Sequence, residues 1–277
     1  MEIQSVRRLT ELSTIYQRLS TGQRINSAAD DAAGMAVSNK IGALARGIDK
    51  GTDNARDMQN LLRTAEGGLN SINDSLQRLR EIGVQALNGI YTDSDQANMQ
   101  QEVGQILDHV KTAAQNTEFN TMKLLDGSFA DKQTASSPNG NGMTINIANT
   151  TLESLGIKNF DVTRLITITD TVIGSDGNPQ TIVKQDFETS LSAIDKALEA
   201  VNDARSKIGA QTNALEYTVN ANETAYINQM QALSKIADAD VAKESTRLSA
   251  ANVLRDAQVY MQKNQMARAG GILNLLG

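Results

Sequence analysis

Side chains that commonly carry out chemistry are scarce in this sequence of 277 residues, which has one histidine and no cysteine. The histidine, His109, is separated from Glu102 by six residues, which matches no common metal-ligand spacing, and the H-E-x-x-H pattern is absent. We therefore interpret His109 as a solvated helix residue rather than a ligand or a base. Without cysteine, disulfides, thiol catalysis and cysteine-ligated zinc are excluded.

Two acidic pairs and one glycine pair offer further chemical patterns. Asp93 and Asp95 suggest a calcium loop, but the glycine and the terminal glutamate of such a loop are missing at the required offsets, so we interpret them as turn acids. Asp30 and Asp31 lie at a predicted helix start, where carboxylates cap the helix and interact favourably with its dipole. No strand precedes the glycines at 67–68, so they predict no phosphate-binding loop. We expect no enzyme activity, no cofactor and no metal site.

The formal net charge of −6 narrows the class of partner. Binders of nucleic acid or of anionic membranes need a basic face, so we expect neither partner. No apolar run approaches the ~18 residues of a membrane span. Residues 1–8 lack the apolar core of a cleaved secretory signal, so we expect any export to use another route.

The elements that position these side chains are predicted to be long helices. Pro138 and Pro179 are the two prolines of the chain, and the arms on either side are free of the ~3 kcal/mol cost that proline imposes on a helix interior. Apolar or small side chains recur every three or four residues through 32–87, which predicts a coiled-coil-like helix ~80 Å long. Ser27 and Asp30 have the spacing of a capping box and predict its start.

The C-terminal arm repeats this period over 188–237, and a shorter amphipathic helix is predicted at 94–116. Two seams of matched period can bury each other as an antiparallel pair. The terminal segments 3–19 and 240–277 carry apolar stripes without enough partners, and the simplest partner is another copy of the chain. The residues that we assign to this assembly surface and inner core are Leu9, Leu12, Leu19, Leu254, Met261, Leu275 and Leu276.

The centre of the chain has a different pattern. It holds both prolines and short β-branched runs at 144–147, 165–169, 171–173 and 181–183, with turn residues at 174–178. These features predict a small β-rich insert that contains a hairpin. The expected fold class is mainly α, a long antiparallel coiled-coil-like helical rod formed by the N- and C-terminal arms with a small β-rich central insert. The expected division of the chain is 1–31, 32–127, 128–187, 188–237 and 238–277, with the β-rich insert at 128–187.

Several segments resemble those of bacterial flagellins, in colinear order. They are RLSTGQRINSAADDAAG at 18–34, TAEGGL at 64–69, LQRLREI at 76–82, EFNTMKLL at 118–125, IADADVAKE at 236–244 and ILNLLG at 272–277. The resemblance implies that the N- and C-terminal segments pair as two helical layers. The inner core is formed by 1–31 (with the connector) and 238–277, the outer rod by 32–127 and 188–237, and the insert at 128–187 is variable. The resemblance implies self-assembly as a homo-oligomer into the extracellular filament of the bacterial flagellum, for motility. It also implies the flagellar type III export route without a cleaved signal peptide, and contacts with an export chaperone and with cap and junction proteins.

The resemblance carries a second function and one departure. In flagellins recognised by the innate immune receptor Toll-like receptor 5, the contact surface lies on the outer rod helices, and the matching positions here are Arg78, Ile82 and Glu102. Flagellins usually have more residues ahead of the segment that begins at Arg18, so we expect a short inner N-terminal helix. Two alternatives remain open, a hook–filament junction protein and a filament-surface adhesin that acts through the central insert.

Overall fold

Over the residues that it describes, the computed structural model contains five helices and three small antiparallel sheets. It describes residues 2–86, 88, 90–163, 168–173, 179–184 and 187–276, with side chains over 10–86, 88, 90–163 and 191–268. The elements are α1 Glu2–Thr21, α2 Ala32–Ala86, α3 Asp93–Asn116, β1 Glu118–Phe119, β2 Met122–Lys123, β3 Lys132–Gln133, β4 Thr144–Ile145, β5 Ile168–Ile173, β6 Pro179–Lys184, α4 Phe187–Ala237 and α5 Val241–Leu276. The predicted fold class is confirmed, and α3 and α4 each extend one residue beyond the predicted start.

The residues Asp49–Glu223 form one compact unit around a continuous apolar core. Most of the predicted seam of α2 is buried there, because side chains spaced three and four apart share one helix face. The largest fully buried side chains of the helices in this core are Leu62, Leu69, Ile72, Leu76, Leu79, Ile82, Ile194 and Ile208. Burial of each such side chain contributes roughly 1.5–3 kcal/mol.

The seams of α2 and α4 meet in the predicted antiparallel sense within this unit. Near the middle of α2, Arg56 pairs with Glu223, and near the end of α2, Arg80 Nε donates to Asp195 Oδ1 at 2.7 Å. Sequence numbers rise along one helix as they fall along the other, so the two helices run in opposite directions. Both ion pairs are about half exposed and contribute little to stability.

The central segment is joined to the helices more closely than its β-branched runs suggest. Phe129, Ile145, Ile157 and Phe160 are buried in the same core as the helices. The predicted hairpin is confirmed by β5 and β6, which pair from Ile168 with Lys184 to Ile173 with Pro179. Its turn at 174–178, and most of the strand predicted at 165–169, lie outside the described residues.

The start of α2 differs from the predicted capping box. Asp31 caps the helix, because its Oδ1 accepts a hydrogen bond from Gly34 N at 2.8 Å. Ser27 N and Oγ donate to Asp30 Oδ2 at 2.9 and 3.1 Å, which closes the turn ahead of the helix instead. The assignment of Ser27 and Asp30 as the cap of α2 is therefore wrong, and the interpretation of Asp31 as a helix cap is confirmed.

The second compact unit comprises Met1–Ile48 and Thr224–Gly277. Within it, the connector after α1 is joined to the connector after α4 by backbone hydrogen bonds. Arg24 N donates to Ala237 O at 2.6 Å and Ala239 N donates to Gly22 O at 2.9 Å. These bonds bring the two ends of the chain together at the point where α1 stops and α5 begins.

Candidate functional site

The terminal helices α1 and α5 lie side by side and leave an open groove of about 750 Å³ between them. Arg18, at the end of α1, lies 3.7 Å from Glu244, at the start of α5, and Leu12 faces the groove nearer the middle of α5. The two helices are therefore antiparallel. The walls of the groove combine apolar side chains of both helices with a charged cluster at one end.

Large apolar side chains are exposed on several sides of α5, namely Val253, Leu254, Val259, Tyr260, Met261 and Met266, with 46–74% of each residue exposed. Leu254 and Met261 are seven residues apart, so they share one side of the helix, and both line the groove. We call this side of α5 its apolar face. No apolar side chain among the described residues 241–268 is buried. Exposed apolar side chains in such number mark an interaction site on a protein, because transfer of apolar surface out of water is favourable.

The structure brings several of the predicted assembly residues to this surface. Leu12 is buried in the groove, Leu19 is half-buried, and Leu254 and Met261 line the groove with 54% and 65% of each residue exposed. The backbones of Leu9, Leu275 and Leu276 belong to α1 and α5. Their side chains lie outside the described part of the structure, so these three assignments stay predictions.

A charged cluster at the end of the groove is the part of the site that sequence reasoning missed. Arg18 Nη1 lies 3.7 Å from Glu244 Oε1, and Arg18 Nη2 lies 3.9 Å from Asp30 Oδ1. Arg247 Nη1 also approaches Glu244 Oε1, at 2.8 Å. The spacing of Glu244 and Arg247 along one helix was a readable signal, but the pairing with Arg18 depends on the fold.

The surface that was assigned to receptor contact lies in the other unit, on α2 and α3. Arg78 donates to Glu102 Oε1 from Nε at 2.7 Å and reaches Glu81 Oε2 at 3.1 Å. These hydrogen bonds, first the one to Glu102, raise the pKa of the Arg78 guanidinium. Both Arg78 and Glu102 are about half exposed.

Ile82 does not share that surface, and its assignment as a contact residue is corrected here. Only 1% of the residue is exposed, because its side chain packs into the apolar core with the α2 seam. The solvated residue one turn from Arg78 is Glu81.

The polar groups around His109 lie on a solvated helix surface in the part of the chain that the structure describes. His109 Nδ1 lies 3.0 Å from the Ser75 hydroxyl, which itself donates to Ser71 O at 2.8 Å. His109 is exposed on α3, as expected for a solvated helix residue. The described residues hold no cluster of three or more metal-ligating side chains, and none of their helices is long and apolar enough to cross a membrane.

The fold is that of a class of helical structural proteins. Its marks are the paired terminal helices, the two long antiparallel helices and the exposed apolar face. The chain matches the bacterial flagellin N-terminal helical region over residues 4–130 and the bacterial flagellin C-terminal helical region over 191–276. The chain therefore belongs to the bacterial flagellin family, and the sequence-based resemblance is confirmed.

Similar proteins carry names from the same family. A flagellin of Halalkalibacterium halodurans is 35% identical over 94% of this chain and 90% of its own length. A flagellar filament core protein of Brachyspira hyodysenteriae is 33% identical over 97% of this chain and 93% of its own. A solved structure described as a flagellar hook-associated protein from Vibrio parahaemolyticus aligns with a TM-score of 0.57 at 21% identity, over 76% of this chain and all of the other. At that identity the likeness concerns the fold alone.

Proposed function

We propose that this chain is a structural subunit that self-assembles into the bacterial flagellar filament. The observation that carries the proposal is the exposed apolar face of α5 beside the open groove that α5 forms with α1. A face on one copy that fits a different face on the next makes a heterologous contact, and repetition of such a contact without closure generates a helical filament. The names of the similar proteins, flagellin and filament core protein, agree with this role.

Energetics favour the same assignment. An isolated helix in water is marginal, and most helical stability in proteins comes from packing of an apolar face. Because the described part of α5 packs little apolar surface within one chain, contacts with further copies are expected to stabilise it. The filament would then bury the surface that the single chain leaves exposed.

The place of action and the route to it are part of the proposal. A flagellar filament projects outside the cell, so the chain would be exported, and the family resemblance favours the flagellar type III route with an export chaperone. Cap and junction proteins would contact the assembled subunits at the ends of the filament.

The test is polymerisation of the purified chain, followed by electron microscopy after heating, cooling and addition of short filament seeds. We expect long filaments of uniform width from the parent and none from Leu254→Asp or Met261→Asp, because each places a charge on the apolar face. Ile90→Asp is the matched control, since Ile90 is 77% exposed but lies outside the terminal helices. A parent chain that stays monomeric with seeds present would contradict the filament role and favour a junction protein.

A second proposed function is recognition by Toll-like receptor 5 through Arg78 and Glu102. The observation that favours it is that the mutual ion pair holds both side chains ordered and half exposed, which lowers the entropy cost of binding. In a reporter-cell assay, Arg78→Ala and Glu102→Ala should each weaken the response. Arg80→Ala is the matched control, because Arg80 is equally exposed on the same helix but pairs with α4. No response to the parent protein would end this proposal.

A test of the adhesin alternative needs a deletion that is smaller than the whole insert. Because Phe129, Ile145 and Phe160 belong to the core, removal of 128–187 would unfold the chain. A short linker in place of residues 165–186 removes the β5–β6 hairpin and keeps these side chains. Loss of surface adhesion with normal swimming would support the adhesin role, and unchanged adhesion would exclude it for the hairpin.

A further inference from the structure

Glu244 is the one buried side chain of α5 among the described residues 241–268, and 4% of the residue is exposed. A helix that packs against a neighbour normally buries apolar side chains, whereas a carboxylate costs several kcal/mol to desolvate unless it is paired. A buried charge at the place where apolar contact is expected therefore needs a specific role.

The partner from the neighbouring helix is Arg18. It lies 3.7 Å from Glu244 and 3.9 Å from Asp30, so it contacts one carboxylate on α5 and one in the turn before α2. Arg18, Asp30 and Glu244 have the least exposed side chains among the ion pairs of the described residues, at 23%, 21% and 6%. Pairs elsewhere, such as Arg80 with Asp195, are about half exposed and screened by water.

Two buried atoms of this pair have no hydrogen-bond partner within the described structure. They are Arg18 Nε, a donor, and Glu244 Oε2, an acceptor. The side-on pairing that arginine and carboxylate favour uses an Nε donor and the second carboxylate oxygen, which are the two atoms left without a partner here.

Apolar packing alone would set the position of α1 on α5 weakly. Leu12 and Ile15 of α1 are buried, but the facing stretch of α5 buries no apolar side chain among residues 241–268. Hydrophobic contact is non-directional, so it tolerates sliding of one helix along the other. A desolvated ion pair does not tolerate sliding, and fixing register is the best-attested role of buried polar groups.

We propose that Arg18 and Glu244 form a latch that holds α1 and α5 in the register required for assembly, so that both are positioning residues. The latch rests on the proposed function. The register matters because the paired helices present the groove and the apolar face to the next copy. Arg247 and Asp30 complete the cluster. Arg247 keeps Glu244 in Arg18→Met, and Asp30 keeps Arg18 in Glu244→Met.

The experiment compares Arg18→Met, Glu244→Met and the double variant with the parent. Arg18→Lys is the conservative variant, and Arg255→Met is the matched control, because Arg255 lines the same groove but pairs with Asp256 on its own helix. One readout is the critical concentration of seeded polymerisation, and another is the thermal midpoint. The third is the distance between spin labels on Thr14→Cys and Gln258→Cys, which are unique attachment sites because the chain has no cysteine.

Each single methionine variant should raise the critical concentration roughly tenfold or more, because it removes the ion pair that joins α1 to α5. Glu244 then keeps only Arg247 of its own helix, or Arg18 keeps only Asp30. Each should also broaden the distance distribution, whereas Arg18→Lys should keep most of the assembly and Arg255→Met should match the parent. The double variant should regain thermal stability, since an apolar pair replaces the ions, yet keep the broad distances and the raised critical concentration.

A double variant that assembles as the parent does, with narrow distances, would reduce the pair to a structural role and overturn the latch. Single variants that match the parent in all three readouts would overturn it as well. If the parent forms no filaments, the proposed function fails, and the spin-label distances alone then decide whether the latch exists.

Discussion

At the scale of single residues, close contacts decide which positions tolerate change. Gly67 and Gly68 are neighbours in α2, and the sequence offered no reason to distinguish them. A Cβ added at Gly68 would lie 2.4 Å from Thr117 Oγ1 and 2.8 Å from Leu125 Cδ1, whereas one added at Gly67 would meet nothing within 4 Å. The glycine at 68 thus lets Thr117, at the end of α3, and Leu125, in the segment after β2, pack against α2.

This contrast makes a paired prediction. Gly68→Ala should lower the free energy of unfolding by ~1–3 kcal/mol, because Thr117 and Leu125 must move to make room. Gly67→Ala should raise it by up to ~1 kcal/mol, since alanine favours an exposed helix interior more than glycine does. Urea denaturation followed by circular dichroism measures both, and equal effects of the two substitutions would refute the packing assigned to Gly68.

A second prediction at this scale concerns pH. Thr92 and Asp95 form a capping box at the start of α3, and hydrogen bonds from the backbone and side chain of Thr92 lower the pKa of the Asp95 carboxyl below its usual 3.8. Because the folded pKa is the lower one, this stabilisation is present above pH 3.8 and is lost as the pH falls through the folded pKa. The gap in melting temperature between parent and Asp95→Ala should therefore be full at pH 6 and shrink at pH values well below 3.8. A gap that is independent of pH would show that the charge of Asp95 has no part in it.

At the scale of elements, the loop before β4 is fastened to both long helices. Asn54 Nδ2 on α2 donates to Ala135 O at 2.9 Å, and Asn222 Nδ2 on α4 donates to Ser136 O at 2.8 Å. Gly51 permits this approach, because a Cβ there would lie 2.5 Å from Ser136 O. The loop thus links α2 and α4 near the end of their shared unit.

Loss of one of these links should be measurable. Asn222→Ala should destabilise the chain by ~1–3 kcal/mol, because Ser136 O is left without that donor in a buried position. Asn213→Ala is the matched control, since Asn213 is exposed on the same helix. Equal unfolding free energies for the two variants would argue against a link through Asn222.

The contrast between periodic and aperiodic segments explains how much of the fold the sequence predicts. The seam of α2 and the ends of α3 and α4 follow from apolar spacing, because a helix repeats every 3.6 residues wherever it packs. The burial of Phe129 and Phe160 does not follow, since it depends on contacts with distant helices. Ile82 was misplaced for the same reason, because it lies beside the seam and only the packed core shows that it is buried.

The residues of the candidate site differ in the same way, since some could be predicted from the sequence and others could not. Leu12 stands on an apolar stripe of α1, and Leu254 and Met261 are seven residues apart in α5, so their place on the terminal helices was predictable. The burial of Glu244 was not predictable, because a carboxylate near a helix start normally faces solvent and interacts favourably with the helix dipole. Its burial depends on Arg18, which lies more than two hundred residues away in the chain.

At the scale of the whole molecule, the two compact units are packed by different means. Residues 49–223 bury large aliphatic side chains of three helices and of the central segment in one core. The unit that holds α1 and α5 buries few, and the described part of α5 buries Glu244 alone. The first unit therefore stabilises the single chain, and the second is the unit that we propose for assembly.

Hydrogen exchange of backbone amides, measured on the soluble chain and on the seeded polymer, tests this division most directly. In the soluble chain we expect fast exchange along 241–268 and strong protection through 55–82, because exchange follows local burial and packing. In the polymer, protection along 241–268 should rise by at least about a hundredfold while that of 55–82 stays high. Polymer in which residues 241–268 exchange as fast as in the soluble chain would contradict the assignment of assembly to the terminal helices.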